Sequence, residues 1–310
     1  MLGIDLSHEL GARYDVAGMD VVHSPWSIVD SFYEGDIADK KNVADVIARA
    51  QPDIVIHAAA WTDVDGCELD PGKAYAVNAE GTKNIAAACK GSGAVLIYIS
   101  TDFVFDGKKK GPYKESDAVA PLSVYGDSKL KGEKAVRDTL EKYYILRTSW
   151  LYGTRGKNFV DTIAAGAKAG KALKVVDDQV GSPTYTKDLA KAIHAFLKRI
   201  TSHSGLQGAK AGAGEPPRHA GDNGRGRRAT SHGIYHVSNA GKVSWYDYAV
   251  EILKLAKLKT KVAPIASAEL NRPAKRPAMS VMDNTKFRKF TGYRMRGWKA
   301  ALKEYLLSGG

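Results

Sequence analysis

Apolar runs alternate with amphipathic stretches from the start of the chain to about Lys198. Tyr14–Met19 (YDVAGM), Asp53–His57 (DIVIH), Val95–Ile99 (VLIYI) and Tyr144–Arg147 (YILR) predict strands, and DIVIH and VLIYI read as buried ones. Helices are predicted over Lys41–Ala50, Gly72–Ser92 and Ser123–Leu140. In the second, Ala74, Val77, Ile85, Ala88 and Cys89 recur at helical spacing. Strands separated by helices of this length imply βαβ crossovers and a parallel sheet covered on both faces, the doubly wound α/β arrangement. Beyond Asp178 the pattern loosens into a helix at Thr186–Ile200, a strand at Gly233–Val237, a helix at Trp245–Leu258 and a basic, proline-bearing stretch at Arg272–Pro277. The expected organisation is a Rossmann-like dinucleotide-binding domain over residues 1–176 and a smaller, mainly substrate-binding lobe over 177–310. No internal repeat recurs at a fixed period.

The opening of the chain departs from that plan. A dinucleotide-binding sheet ordinarily starts with an apolar strand and a glycine-rich turn, followed by a helix whose N-terminus holds a pyrophosphate. Here Met1-Leu2-Gly3 runs directly into an amphipathic helix, Ile4–Gly11. The first strand and the earlier glycines are therefore expected to be missing from this chain. Gly3 stands either as the last glycine of the turn or simply as a glycine near an N-terminus. The rest of the half-site is better populated. Asp20 follows its strand at the distance expected of a carboxylate that accepts hydrogen bonds from an adenosine ribose, and reads equally as a solvated loop aspartate. Asp36, in Gly35-Asp36-Ile37, is placed to reach an adenine amino group or to cap the next helix. Ala58, Ala59 and Ala60 put three small side chains at the carboxyl end of DIVIH, where a flat or phosphorylated ligand can lie close to the backbone. Asn78 is polar inside an otherwise apolar helix.

Three features carry chemistry. Ser100-Thr101-Asp102 ends the VLIYI strand, at the sheet edge where open α/β folds bind ligands. Tyr125 and Lys129, in YGDSK, are four residues apart and share one helix face. Pro121 marks the start of that helix. Reducing a ketone by hydride requires a proton at the carbonyl oxygen. A free tyrosine, with a pKa of about 10, gives one up reluctantly. A nearby ammonium is expected to lower that pKa, and the Thr101 hydroxyl can hold the same oxygen in place. Tyr–x–x–x–Lys alone is a common surface pattern; the strand-end Ser-Thr-Asp upstream makes it a candidate site.

Composition narrows the partners. The net charge of +12 fits a nucleic acid, an acidic membrane surface or a phosphorylated substrate. Part of the excess lies in Thr201–Ser231, where five basic residues meet two acidic ones among seven glycines. That segment has too little apolar surface to offset its ordering entropy and is expected to be a disordered, dispensable insertion. It interleaves no aromatic residue for base stacking, so nucleic acid is disfavoured. No apolar run reaches the roughly 18 residues of a membrane span, and the N-terminus does not read as a signal peptide. With only Cys67 and Cys89, neither a disulfide framework nor a metal cluster is expected, and the cytoplasm is the expected compartment.

Taken together, HAAAWTDVDGCELDP (57–71), NAEGT (78–82), STDFVFDG (100–107), PLSVYGDSKLKGE (121–133), LRTSWLYG (146–153), DDQVGSPTYTKDLA (177–190) and RPAMSVMD (276–283) resemble the extended short-chain dehydrogenase/reductases. Within these they resemble the dTDP-4-dehydrorhamnose reductase family. The resemblance covers nearly the whole chain apart from 201–231 and implies a catalytic trio of Thr101, Tyr125 and Lys129. It implies cofactor positions at Asp20, Asp36, Ile37, Ala58, Ala59 and Lys129, with Asp102, Phe103 and Trp150 near the sugar and Arg276 near the nucleotide diphosphate. The implied activity is reduction of the 4-keto group of a dTDP-linked hexulose with NADH or NADPH, giving dTDP-L-rhamnose. Some members are homodimers bridged by Mg2+, and no ligand for a metal is assigned in this sequence. The family's sequences begin earlier than this one. Two alternatives share the superfamily. One is a regulatory subunit like the β subunit of methionine adenosyltransferase, against which Arg147-Thr148-Ser149-Trp150 and Gln179–Thr184 count. The other is an epimerase or dehydratase, against which Phe103 after Asp102 counts.

Overall fold

The computed structural model describes residues 1–204 and 232–308. The chain opens with α1 (Leu2–Leu10), whose Leu2, Leu6 and Leu10 form one buried stripe. β1 (Ala17–Asp20) and β2 (Ser31–Glu34) pair in parallel, Ala17 opposite Ser31 and Asp20 opposite Glu34. α2 (Lys40–Ala50) starts at Asp39, whose carboxylate accepts the Lys41 and Asn42 N–H groups, and β3 (Ile54–His57) follows it. Asp39, not Asp36, is therefore the cap of this helix; the Asp36 carboxylate accepts the Ala38 N–H at 2.8 Å.

Helical structure runs without interruption from Pro71 to Ser92, where the sequence places a helix over Gly72–Ser92, and it contains a π-helical turn. α3 (Val64–Leu69) and α4 (Pro71–Tyr75) are short pieces capped by Asp63 and Asp70. A π-helical turn, Ala76–Gly81, then leads into α5 (Thr82–Ser92). β4 (Val95–Thr101) continues two residues past the expected end and passes into a 3-10 turn, Asp102–Val104. α6 (Val124–Thr139) and β5 (Tyr143–Thr148) stand close to where the sequence puts them.

Past β5 come β6 (Leu151–Tyr152), α7 (Phe159–Lys168), β7 (Leu173–Val176), β8 (Val180–Gly181) and β9 (Thr184–Tyr185). α8 runs Thr186–Ser204, so residues 201–204 belong to a helix and not to an insertion; residues 205–231 lie outside the described residues. The described chain resumes in β10 (Gly233–His236), β11 (Val243–Ser244), α9 (Trp245–Leu255), β12 (Val262–Ile265), α10 (Thr285–Thr291) and α11 (Trp298–Leu307).

The main sheet is parallel, in the order β10-β5-β4-β3. Strand alternation divides its side chains between two cores. Ile97, Ile99, Tyr144 and Leu146 face α1 and α8, while Leu96, Tyr98 and Ile145 face α2, α5 and α6. β1 and β2 form a separate pair. Among the described residues no strand pairs with the second edge of β3 or of β1, so β1–β2 and the four-stranded sheet are separate blocks.

Packing crosses the boundary drawn at residue 176 in both directions. Tyr152, Val160, Ile163 and Val175 join Tyr248, Ile252, Leu302 and Tyr305 in the core of the smaller lobe. Leu189, Ile193, Tyr235 and Phe287 belong to the core of the sheet.

Candidate active site

The site is assembled where β4 ends against α6. Thr101, the last residue of β4, lies opposite Thr148 of β5, and Ser100 lies opposite Arg147. The Thr101 hydroxyl accepts the Phe103 N–H at 3.2 Å and donates to Asp102 Oδ1 at 3.1 Å, so the strand turns sharply with its hydroxyl held in place. The start of α6 is fixed from two sides: Ser123 Oγ accepts the Gly126 N–H at 3.3 Å, and Glu68 Oε2 accepts the Val124 N–H at 3.0 Å. Two glycines let the helix approach. A Cβ on Gly126 would lie 2.3 Å from the Phe103 carbonyl oxygen, and one on Gly132 would lie 2.5 Å from the Tyr98 hydroxyl.

Tyr125, Lys129 and Glu133 share one face of α6 at successive turns. Tyr125 is half-buried, its ring edge-on to Phe103 at 5.5 Å. Burial raises its pKa above the ordinary phenol value; the Thr101 hydroxyl opposes the rise, and the charges of Asp102 and Cys67 add to it. The expectation that Lys129 lowers the Tyr125 pKa is therefore not met. Lys129 Nζ is turned to the backbone of β4, donating to the Ile99 carbonyl at 2.8 Å, and stands 4.3 Å from the centre of the Tyr98 ring. Burial lowers the Lys129 pKa to about 7, against the pull of Glu133. Burial also pushes the Asp102 carboxyl up to about 7, with the Ser280 and Thr101 hydroxyls opposing.

Beneath this trio lies a group that the sequence reading did not single out. Arg147 Nε and Nη2 donate to the two Glu133 oxygens at 2.8 and 2.7 Å, and Ser100 Oγ donates to Oε1 at 2.6 Å. Both charged side chains are 2% exposed. Bidentate pairing neutralises these buried charges, leaving Arg147 Nη1 without a hydrogen-bond partner, and ties α6 to the ends of β4 and β5. The signal in the sequence was Glu133, two turns beyond Tyr125 on the same face.

His57 was also missed. It is buried at the end of β3, with Nε2 3.0 Å from Thr82 Oγ1 and its ring stacked on Tyr98 at 5.3 Å. Burial first, and the Lys129 charge second, lower its pKa to about 3.

The other candidates fall into separate places. Asp20 and Asp36 are exposed beside the β1–β2 pair, where Asp20 Oδ1 accepts the Val21 N–H at 2.8 Å. Ile37 is partly buried against Gly81, where a Cβ would come within 2.9 Å of it. Ala58, Ala59 and Ala60 form an accessible stretch after β3. Asn78, within the π-helical turn, is fully buried behind that stretch. Its carbonyl accepts the Trp61 N–H at 2.9 Å, and its amide donates to the Trp61 carbonyl and to Ser128 Oγ, both at 3.0 Å. Its side chain thus ties the chain at Trp61 to α6 at Ser128. Gly3 lies in the first turn of α1 and is exposed, and a Cβ there would meet nothing within 4 Å, so close packing does not require a glycine. Trp150 lies two positions past the end of β5 and stacks on Trp245. Arg276 is held by Asp65 of α3 at 2.9 Å, with Arg272 on the same carboxylate at 3.4 Å. Thr101, Asp102, Phe103, Tyr125 and Lys129 are therefore brought together, whereas Asp20, Asp36 and Ile37 stand apart on the β1–β2 side. Among the described residues no cluster of three His, Cys, Asp or Glu side chains is placed to hold a metal ion, and no helix is long and apolar enough to cross a membrane.

The sequence model of the RmlD substrate binding domain matches residues 1–210 and 223–309. The spore coat polysaccharide biosynthesis protein SpsK of Bacillus subtilis is 38% identical over 98% of this chain and 94% of its own. A dTDP-4-dehydrorhamnose reductase of Streptomyces griseus is 39% identical over 87% of this chain and 81% of its own. Among solved structures, a dTDP-4-dehydrorhamnose reductase from Bacillus anthracis in complex with NADP superposes with a TM-score of 0.78 at 32% identity. The superposition covers 94% of this chain and 98% of that one.

Proposed function

Because the chain belongs to the RmlD substrate binding domain family, we propose that it is an NAD(P)H-dependent reductase converting dTDP-4-dehydrorhamnose to dTDP-L-rhamnose. The observation that carries this reading is the meeting of Thr101, Tyr125 and Lys129 at one strand end, with Glu133 and Arg147 locking the helix beneath them. The residues present fit a nicotinamide dinucleotide. The Ala58–Ala60 stretch is accessible, exposed carboxylates at Asp20 and Asp36 suit the adenosine end, and Lys129 suits the ribose next to the reacting ring. The reduced cofactor, when bound, supplies the hydride.

The protein's own groups do the rest. The Tyr125 phenol is kept protonated by its buried setting and donates its proton to the substrate's carbonyl oxygen as that oxygen gains negative charge. Thr101 hydrogen-bonds the same oxygen and fixes its position. Lys129 Nζ is anchored on the Ile99 carbonyl one helical turn from Tyr125, and the proton that Tyr125 gives up is replaced from solvent. Asp102, Phe103 and Trp150 form the sugar side, and Arg276 faces the diphosphate.

Purified protein incubated with dTDP-4-dehydrorhamnose and either NADPH or NADH should consume the reduced nicotinamide. Tyr125→Phe should lower kcat by about 100-fold or more while leaving sugar-nucleotide binding unchanged. A variant that keeps more than about a tenth of the rate would remove Tyr125 from the role of acid.

A further inference from the structure

We propose that Trp245 is the positioning residue for Trp150, and that the stacked pair forms the wall on which the hexulose ring of the sugar nucleotide is seated. The inference rests on the reading of Trp150 as a sugar-side residue. The backbone of Trp150 has φ 48°, in the left-handed region, which a bulky side chain enters only at a cost. Such a conformation persists where its surroundings over-determine it.

Here they do so from three directions. The Trp150 carbonyl accepts the Thr184 N–H at 3.1 Å. A Cβ on Gly181 would lie 2.4–2.6 Å from Cε2, Cζ2 and Nε1 of the indole, so only a bare glycine backbone can lie against the ring there. Trp245 then stacks on the indole with centroids 3.5 Å apart and planes within 4° of parallel.

Trp245 is itself fixed. It opens α9 just after Ser244, whose hydroxyl accepts the Asp247 N–H at 3.0 Å. Its own N–H donates to the Gln179 carbonyl at 3.3 Å, and its ring lies 4.4 Å from that of Phe159. Val243 pairs with Gly181 across β11 and β8, so one jaw of the clamp lies in this ribbon and the other, Trp245, directly follows it at the start of α9. The clamped residue lies two positions past the end of β5 at Thr148, the register partner of Thr101. One indole thus sets the lobe in register with the proton-donating end of the sheet. Both tryptophans are only partly buried, as a wall facing a ligand must be.

The test compares Trp150→Ala, Trp245→Leu and Trp245→Phe with the parent in steady-state reduction of dTDP-4-dehydrorhamnose. NADPH affinity and Tm are measured alongside. Leucine keeps apolar bulk and removes the planar stack, whereas phenylalanine keeps a ring. The expected result is a KM for the sugar nucleotide raised about 10-fold or more in Trp150→Ala and Trp245→Leu, unchanged NADPH affinity, and recovery of most of the loss in Trp245→Phe. If Trp245→Leu lowers only Tm while Trp150→Ala raises KM, Trp245 merely packs the lobe; the inference fails and the reading of Trp150 stands. If Trp150→Ala leaves KM at the parental value, that reading fails and takes the inference with it.

Discussion

At the scale of single residues, burial decides more than charge pairing does. Tyr–x–x–x–Lys in a sequence suggests an ammonium that lowers a phenol's pKa, yet the folded chain commits Lys129 to the Ile99 carbonyl and keeps the phenol protonated. Desolvation was illegible because it depends on what covers the helix face, which spacing alone does not show. The same effect makes His57 a source of acid lability. Its folded pKa of about 3 lies below the roughly 6.5 of an unfolded histidine, so the unfolded chain binds more protons between those values. The stabilisation is fully present above pH 6.5 or so and is lost as pH falls toward 3, at about 1.4 kcal/mol per pH unit. His236, lowered likewise to about 3, adds an equal slope. Asp102 works in the opposite direction: its raised pKa contributes stability at low pH that is lost as pH rises through about 7. His57→Gln keeps a polar partner for Thr82 and should flatten the acid limb of a stability-against-pH curve by one proton's worth. Denaturant midpoints between pH 4 and 7, approximately the window in which the unfolded histidine gains its proton, would check it, and an unchanged slope would mean that His57 is protonated in the fold.

At the scale of elements, α6 was the most legible part of the site. Pro121, Ser123 and the Tyr125–Lys129 spacing gave its start and its working face, and the structure puts its cap at Ser123. What the sequence did not show is how closely the helix lies against the Asp102–Val104 turn. Gly126 sets that approach, since a Cβ would meet backbone that cannot swing away. Gly126→Ala should therefore cost about 1–3 kcal/mol and displace Tyr125, lowering kcat more than it changes cofactor binding. Gly91→Ala is the control: it lies in α5 with nothing within 4 Å of a new Cβ and should be neutral or stabilising by up to about 1 kcal/mol. Equal effects of the two on Tm and kcat would contradict the argument. The π-helical turn at Ala76–Gly81 was illegible for a related reason. The apolar spacing from Ala74 to Cys89 is helical, as is the chain, and within the π-helical turn Asn78 bonds Trp61 and Ser128, contacts that only the folded chain creates.

At the scale of the whole molecule, alternation of strands and helices was enough to predict a parallel sheet. β3 and the β1–β2 pair are separate blocks among the described residues. The division into two units was less legible, because residues 151–176 look like a continuation of the sheet yet pack into the lobe, while α8 and β10 return to the sheet. That interleaving bears on the proposed function: Tyr125, the proposed acid, sits on α6 against the sheet, and the Gly181–Trp245 clamp sits on the lobe. The most direct test follows the hydride to the substrate carbon that accepts it. The enzyme is given dTDP-4-dehydrorhamnose with NADPH carrying deuterium at the transferable position, and the product is examined by NMR. The account predicts dTDP-L-rhamnose with one deuterium, at C4 of the sugar; a product without the label, or labelled at another carbon, would contradict it.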